Sequence, residues 1–169
     1  MWKHTGTGRP DFAIEPGPGQ ESVWDYPRPP ALKRDNRLVE VMNGESVVAR
    51  TRASWRVMET ASPPTFYIPP ADVDWDQLIR TEGSSICEWK GAAQYWALPN
   101  RPDIPIAWNY PRPRARFEKL KGYASFYPGR ITCFVDGELV GAQPGRFYGG
   151  WITTDVVGPF KGEPGTGHW

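Results

Sequence analysis

Proline and glycine punctuate this chain so closely that long helices have nowhere to form. Its 169 residues include 19 prolines and 18 glycines, well above the averages of about 5% and 7%. A proline fixes φ and removes a backbone donor, and a glycine weakens the interior of a helix or strand. Short strands joined by turns are therefore expected, in a mainly β domain with one or two short helices. The length suits a single domain with a proper core, since domains cluster near roughly 100–150 residues.

The chain also echoes itself. Trp24-Asp25-Tyr26-Pro27-Arg28-Pro29-Pro30-Ala31 returns as Trp108-Asn109-Tyr110-Pro111-Arg112-Pro113-Arg114-Ala115. Val41-Met42-Asn43-Gly44-Glu45-Ser46-Val47 returns, in the same order after its octet, as Phe134-Val135-Asp136-Gly137-Glu138-Leu139-Val140. Two echoes in one order predict an internal repeat, with half-repeats over 24–98 and 105–150 about a rough twofold axis. Residues 1–23 hold few apolar side chains among their glycines and prolines, which predicts a flexible tail draped over the domain of 24–169. Residues 151–169 are expected to wrap that domain.

Local signals place the strands. The segments 38–42 and 46–50 flank Asn43-Gly44, a strong hairpin signal. Residues 54–59 alternate, leaving Glu59 as an acid on the face of Trp55 and Val57. Proline pairs bracket 65–68, as at a sheet edge. Asp72 is placed to cap a short helix ending near Leu78, with Asp74 and Asp76 in its first turns. A hairpin of 86–90 and 94–98 is expected to turn at Gly91, an extended run covers 104–110, and 114–121 suits two helical turns. A further hairpin of 123–127 and 131–135 is expected at Pro128-Gly129, followed by a type I′ turn at Asp136-Gly137.

A formal net charge of +1 gives no field to gather nucleic acid or an anionic membrane, and neither is expected as a partner. No apolar run approaches the roughly 20 residues of a membrane span, and residues 1–6 lack the apolar core of a signal peptide. A cytoplasmic location is the expectation. Cys87 and Cys133 have neither C-x-x-C spacing nor a nearby histidine, so two buried reduced thiols are expected and no metal or other cofactor.

Several motifs in order resemble the family called domain of unknown function 427: the octet at 24, Glu59 with Pro63-Pro64 and Tyr67-Ile68-Pro69-Pro70, Cys87-x-x-Lys90-Gly91-x-Ala93-x-Tyr95, Ala107-Trp108-x-Tyr110-Pro111, and Phe126-Tyr127-Pro128. The run from Gly145 to Thr153, with Gly158-Pro159-Phe160-Lys161-Gly162, is similar to a longer branch of that family with a tail. The resemblance implies a β-tent: two small antiparallel sheets leaning together over an aromatic pocket. That architecture is similar to methionine sulfoxide reductase B and to the drug-binding domain of cereblon. Those relatives often hold zinc on two C-x-x-C pairs, and this chain has none.

The candidate site is then Glu59, Tyr67, Lys90, Tyr95, Trp108, Tyr110, Phe126 and Tyr127, because small-molecule sites combine aromatic walls with a few placed polar groups. Lys90 and Glu59 stand out, since such residues are seldom buried unless paired; a structural ion pair between them is the plain alternative. Three readings stay open. The first is a domain that binds an unidentified small molecule. The second is an enzyme, with Cys87 as nucleophile beside Lys90 or Glu59 as base; His4 and His168 sit near the ends, which removes the usual general base. The third is a peptide-recognition or self-association module built on exposed proline strips, in which case Trp24 and Trp108 would be exposed. A nucleotidyltransferase label sometimes given to the family finds no acidic pair after Gly83-Ser84 to hold Mg²⁺. The oligomeric state is not written in the sequence.

Overall fold

β-branched and aromatic residues between the prolines and glycines do form short strands, and the computed structural model, which describes residues 1–169, is mainly β. The strands are β1 (Glu21–Ser22), β2 (Ala31–Asp35), β3 (Val39–Asn43), β4 (Ser46–Thr51), β5 (Ser54–Met58), β6 (Thr65–Tyr67), β7 (Ile79–Cys87), β8 (Gly91–Ala97), β9 (Pro105–Asn109), β10 (Ala124–Phe126), β11 (Thr132–Val135), β12 (Glu138–Leu139), β13 (Gly141–Ala142), β14 (Trp151–Ile152) and β15 (Val156–Val157). Helical structure is limited to 3₁₀ turns at Val23–Asp25, Pro70–Asp72, Trp75–Gln77 and Ala115–Leu120. No helix is long and apolar enough to cross a membrane.

Three antiparallel sheets carry the fold: β2-β5-β6, β10-β9-β8-β7 and β12-β11-β3-β4. Two ribbons, β13/β14 and the parallel pair β1/β15, complete it. Prolines flank β6 and place it at a sheet edge, where Ile68 exchanges backbone hydrogen bonds of 2.7 and 2.9 Å with Ala124. That bridge joins the edges of β6 and β10, so two sheets meet along one ridge.

The pleat then sorts side chains to opposite sides of the ridge, because successive strand residues point to opposite faces. Register across β8, β9 and β10 sets Trp96, Ala107 and Phe126 in one row and Tyr95, Trp108 and Ser125 in the other. The first row faces the main core, which also contains Val39, Val41, Phe66 and Trp151. Trp151 is fully buried, lies 5.0 Å from Phe66 in a stacked arrangement and donates its indole N–H to the Phe126 carbonyl at 2.9 Å. The second row joins Val57, Tyr67, Tyr110 and Tyr127 in a separate aromatic cluster.

Several local expectations are corrected. The 43–46 turn places Gly44 alone at positive φ (59°), with Asn43 paired to Ser46, so the loop is Gly44-Glu45. At Asp136-Gly137 both residues do have positive φ, 46° and 80°. The strand before Gly91 starts at Ile79, and Glu88, Trp89 and Lys90 form the turn between Cys87 and Gly91. Residues 123–127 and 131–135 do not pair: β10 lies beside β9 while β11 lies between β3 and β12, so Pro128-Gly129 carries the chain from one sheet to another. Asp72 accepts a hydrogen bond from the Thr51 hydroxyl at 2.6 Å instead of capping a helix. Over 114–121 the helical path is broken at Phe117.

The two echoing hairpins share one sheet, with β3 against β11 and Val39 to Met42 facing Val135 to Thr132. The octets differ: Trp24 lies within the 3₁₀ turn Val23–Asp25, whereas Trp108 is in β9. Both indoles are buried, which fits octets that pack as scaffold and not as exposed strips. Residues 1–23 lie on the domain, where Arg9 pairs with Glu15 and Asp25 and Phe12 stacks 5.2 Å from Trp169.

Asp35 ties two arginines together, 2.7 Å from Arg37 and 3.3 Å from Arg56. Burial pushes its pKa up, but the Arg37 side chain and backbone hydrogen bonds outweigh this and hold it below the usual carboxylate value. Such a depressed group stabilises the fold fully above its unfolded pKa of about 4, and that contribution disappears as pH falls through the lower folded value. Urea midpoints are expected to fall on going from neutral pH to below about 4, and Asp35→Asn to flatten that loss. Equal acid sensitivity in the variant would contradict the assignment.

Candidate functional site

Where β5 and β6 lean towards β8 and β9, the second aromatic cluster surrounds a cleft of about 410 Å³. Alternation supplies its walls: Val57 and Glu59 from the β5 segment, Tyr67 from β6, Tyr95 from β8, and Trp108 and Tyr110 from β9 and its continuation. Tyr127 follows β10 on the same face, 4.6 Å from Trp108. Trp108 Nε1 donates to the Tyr67 hydroxyl at 3.0 Å, fixing both rings.

Seven of the eight candidate residues therefore line the cleft: Glu59, Tyr67, Lys90, Tyr95, Trp108, Tyr110 and Tyr127. Phe126 does not. It is fully buried in the main core, because it is adjacent in sequence to Tyr127 and the pleat sends neighbours to opposite faces. Cys87 lines the cleft and is half-buried, a correction to the expectation that both thiols are buried; Cys133 is buried in the core, and both cysteines are free. The histidines are not among the lining residues.

Lys90 is only 9% exposed and its ammonium lies 5.8 Å from the Tyr110 ring centroid. No ion pair includes it. Burial lowers its pKa, but Tyr67, Cys87 and Glu59 nearby raise it further, so it lies above the ordinary lysine value and the side chain is cationic at neutral pH. Burial likewise drives the Tyr67 and Tyr110 hydroxyls upward, and both are neutral there.

The ion pair between Lys90 and Glu59 is not formed. Glu59 Oε1 instead accepts from Arg28 Nε at 3.1 Å, and the Arg28 side chain is 2% exposed. Arg28 also donates to the main-chain oxygens of His4 (3.0 Å), Thr60 (2.9 Å) and Trp169 (2.8 Å), and its guanidinium lies 4.1 Å from the centroid of the Trp2 ring. It thus binds the N-terminal segment, the C-terminal segment and the cleft acid together. A planar five-donor group suits such a hub better than lysine.

Sequence reasoning missed the mouth of the cleft. Trp2, Tyr148, Gly149 and Lys161 line it. Lys161 is 5% exposed, with its ammonium 4.4 Å from the Trp2 centroid and bonded to the Trp169 oxygen at 3.3 Å. Burial and then the neighbouring Arg28 charge lower its pKa. Gly149 packs so closely that an added Cβ would lie 2.7 Å from Trp108 Cζ3. The unusual Phe147-Tyr148-Gly149-Gly150-Trp151 run was the available signal, since glycines among aromatics mark close approach of backbone to rings.

Fold and cleft define a mainly β protein whose small antiparallel sheets frame an aromatic cleft with a buried lysine. Residues 31–140 match the family described as Domain of unknown function (DUF427), and the chain belongs to it. No curated protein matches the chain.

Proposed function

We propose that this is a cytoplasmic protein that binds a small molecule in the aromatic cleft between its sheets. The observation that carries the reading is Lys90: a cation 9% exposed, aimed at an aromatic cleft and without a carboxylate partner. Burying an unpaired charge is costly, and a ligand that pairs with it would offset that cost. The cleft volume of about 410 Å³ falls within the roughly 300–1,000 Å³ of ordinary ligand pockets. Glu59 is engaged by Arg28, which makes it a shaping group at the rim.

Native mass spectrometry of freshly purified protein is expected to show a retained small molecule, or a metabolite-library screen to yield one that displaces the cleft. Lys90→Met keeps the apolar stem and removes the charge. It is expected to weaken binding of that ligand by about 1.5–3 kcal/mol, the range for a hydrogen bond to a charged group. Calorimetry giving equal affinity for a folded Lys90→Met protein would remove Lys90 from the site. An interaction module remains a weaker reading, because the octet tryptophans it needs are buried.

A further inference from the structure

Within the small-molecule reading just given, on which this inference rests, the inner wall of the cleft is made of donors. Lys90 offers an ammonium with three hydrogens and no acceptor capacity. Tyr67 Oη accepts from Trp108 Nε1 and so keeps its own hydroxyl hydrogen to give. Tyr110 Oη adds another hydroxyl on the same cleft. Beside Lys90 and Tyr110 lies the Cys87 sulfur, a weak acceptor. Two carboxylates line the cleft: Glu59 is held by Arg28, and Glu88 is exposed in the turn before Lys90 and forms no ion pair with it.

The geometry points to a monocarboxylate on an aromatic body as the class of ligand: the carboxylate against Lys90, Tyr67 and Tyr110, and the ring against Trp108 and Tyr127. Of the two lysines lining the cleft, Lys161 is engaged by the Trp169 oxygen and the Trp2 ring, which leaves Lys90 to match one negative charge. A phosphate dianion is normally met by a guanidinium fork or a cluster of backbone amides, and no arginine is among the residues lining the cleft. Arg28 is occupied by Glu59 and three main-chain oxygens. The Gly150 amide at the cleft wall is taken by Gln143 Oε1 at 3.0 Å. The tilted pair of Trp108 and Tyr127, with centroids 4.6 Å apart, offers ring faces and edges for the body.

The test uses the full chain and four probes of similar shape: benzoate, benzamide, benzylamine and phenyl phosphate. Affinity is measured by calorimetry, and position by the NMR shift of the Trp108 indole N–H. Benzoate is expected to shift that signal and to bind at least tenfold more tightly than benzamide, with benzylamine weaker still and phenyl phosphate no tighter than benzoate. Lys90→Met is expected to abolish the preference for benzoate over benzamide. If benzamide or benzylamine equals benzoate, or if folded Lys90→Met keeps the preference, the carboxylate assignment is overturned while the small-molecule reading stands. Tighter binding of phenyl phosphate overturns the monoanion in favour of a phosphate. If no probe moves the Trp108 signal and no metabolite is retained, the small-molecule reading itself fails. The ranking on the unaltered protein decides the matter even if Lys90→Met does not fold.

Discussion

Arg28→Met is expected to lower the free energy of unfolding by about 3–5 kcal/mol, the usual cost of removing one partner from a buried ion pair. Methionine retains length and apolar bulk, so the loss isolates the guanidinium. Glu59 would lose its cation, and the main-chain oxygens of His4, Thr60 and Trp169 would lose a donor together. The Trp2 ring would lose the cation 4.1 Å away but keep Lys161 at 4.4 Å. Urea titration followed by circular dichroism measures the change, and a midpoint within error of the unaltered protein would show that the hub contributes nothing. Arg28→Lys is expected to recover only part, because one ammonium cannot reach the same set of acceptors in the same plane.

Trp151→Ala is expected to destabilise by about 3–5 kcal/mol, as large-to-small changes of buried aromatics do. The side chain is fully buried, stacks on Phe66 and satisfies the Phe126 carbonyl, so its removal leaves both a cavity and an orphaned acceptor. Its amide also donates to the Pro64 carbonyl at 2.8 Å, which anchors β14 beside the cleft. Trp151 lies outside the residues matched to the family, 31–140, yet it completes the main core. Trp151→Phe is expected to be milder, since it keeps the stack and loses the indole donor. Equal stability of the alanine variant, by thermal and urea unfolding, would mean that the C-terminal segment only covers the core.

Strand positions were legible because proline, glycine and β-branched residues act locally. The hairpin around Gly44 and the turn at Asp136-Gly137 needed no tertiary information. What pairs with what did require it: residues 123–127 and 131–135 look like a hairpin in sequence, but β11 finds its neighbours in β3 and β12. A turn residue gives chain direction, and the apolar face decides which sheet receives the next strand.

Seven site candidates could be read from residue type and motif, and the eighth failed on parity. Phe126 and Tyr127 cannot both face one cleft across a regular pleat, and the alternation was available in the sequence. Arg28 was hidden differently. It stood in a proline strip read as scaffold, and its partners at positions 4, 59, 60 and 169 are dispersed along the chain. Lys161 lies near Trp2 and Trp169, separated in sequence and joined only by the fold.

The two-faced ridge has a thermodynamic corollary. Trp108 and Tyr127 stand on the reverse of strands whose other side is close-packed against Phe126 and Ala107, so folding itself immobilises the cleft walls. A molecule entering there would meet a surface already ordered, with no segment to freeze and little rotamer freedom left to surrender. Its heat-capacity signature would then come from dehydrating rings and not from chain condensation.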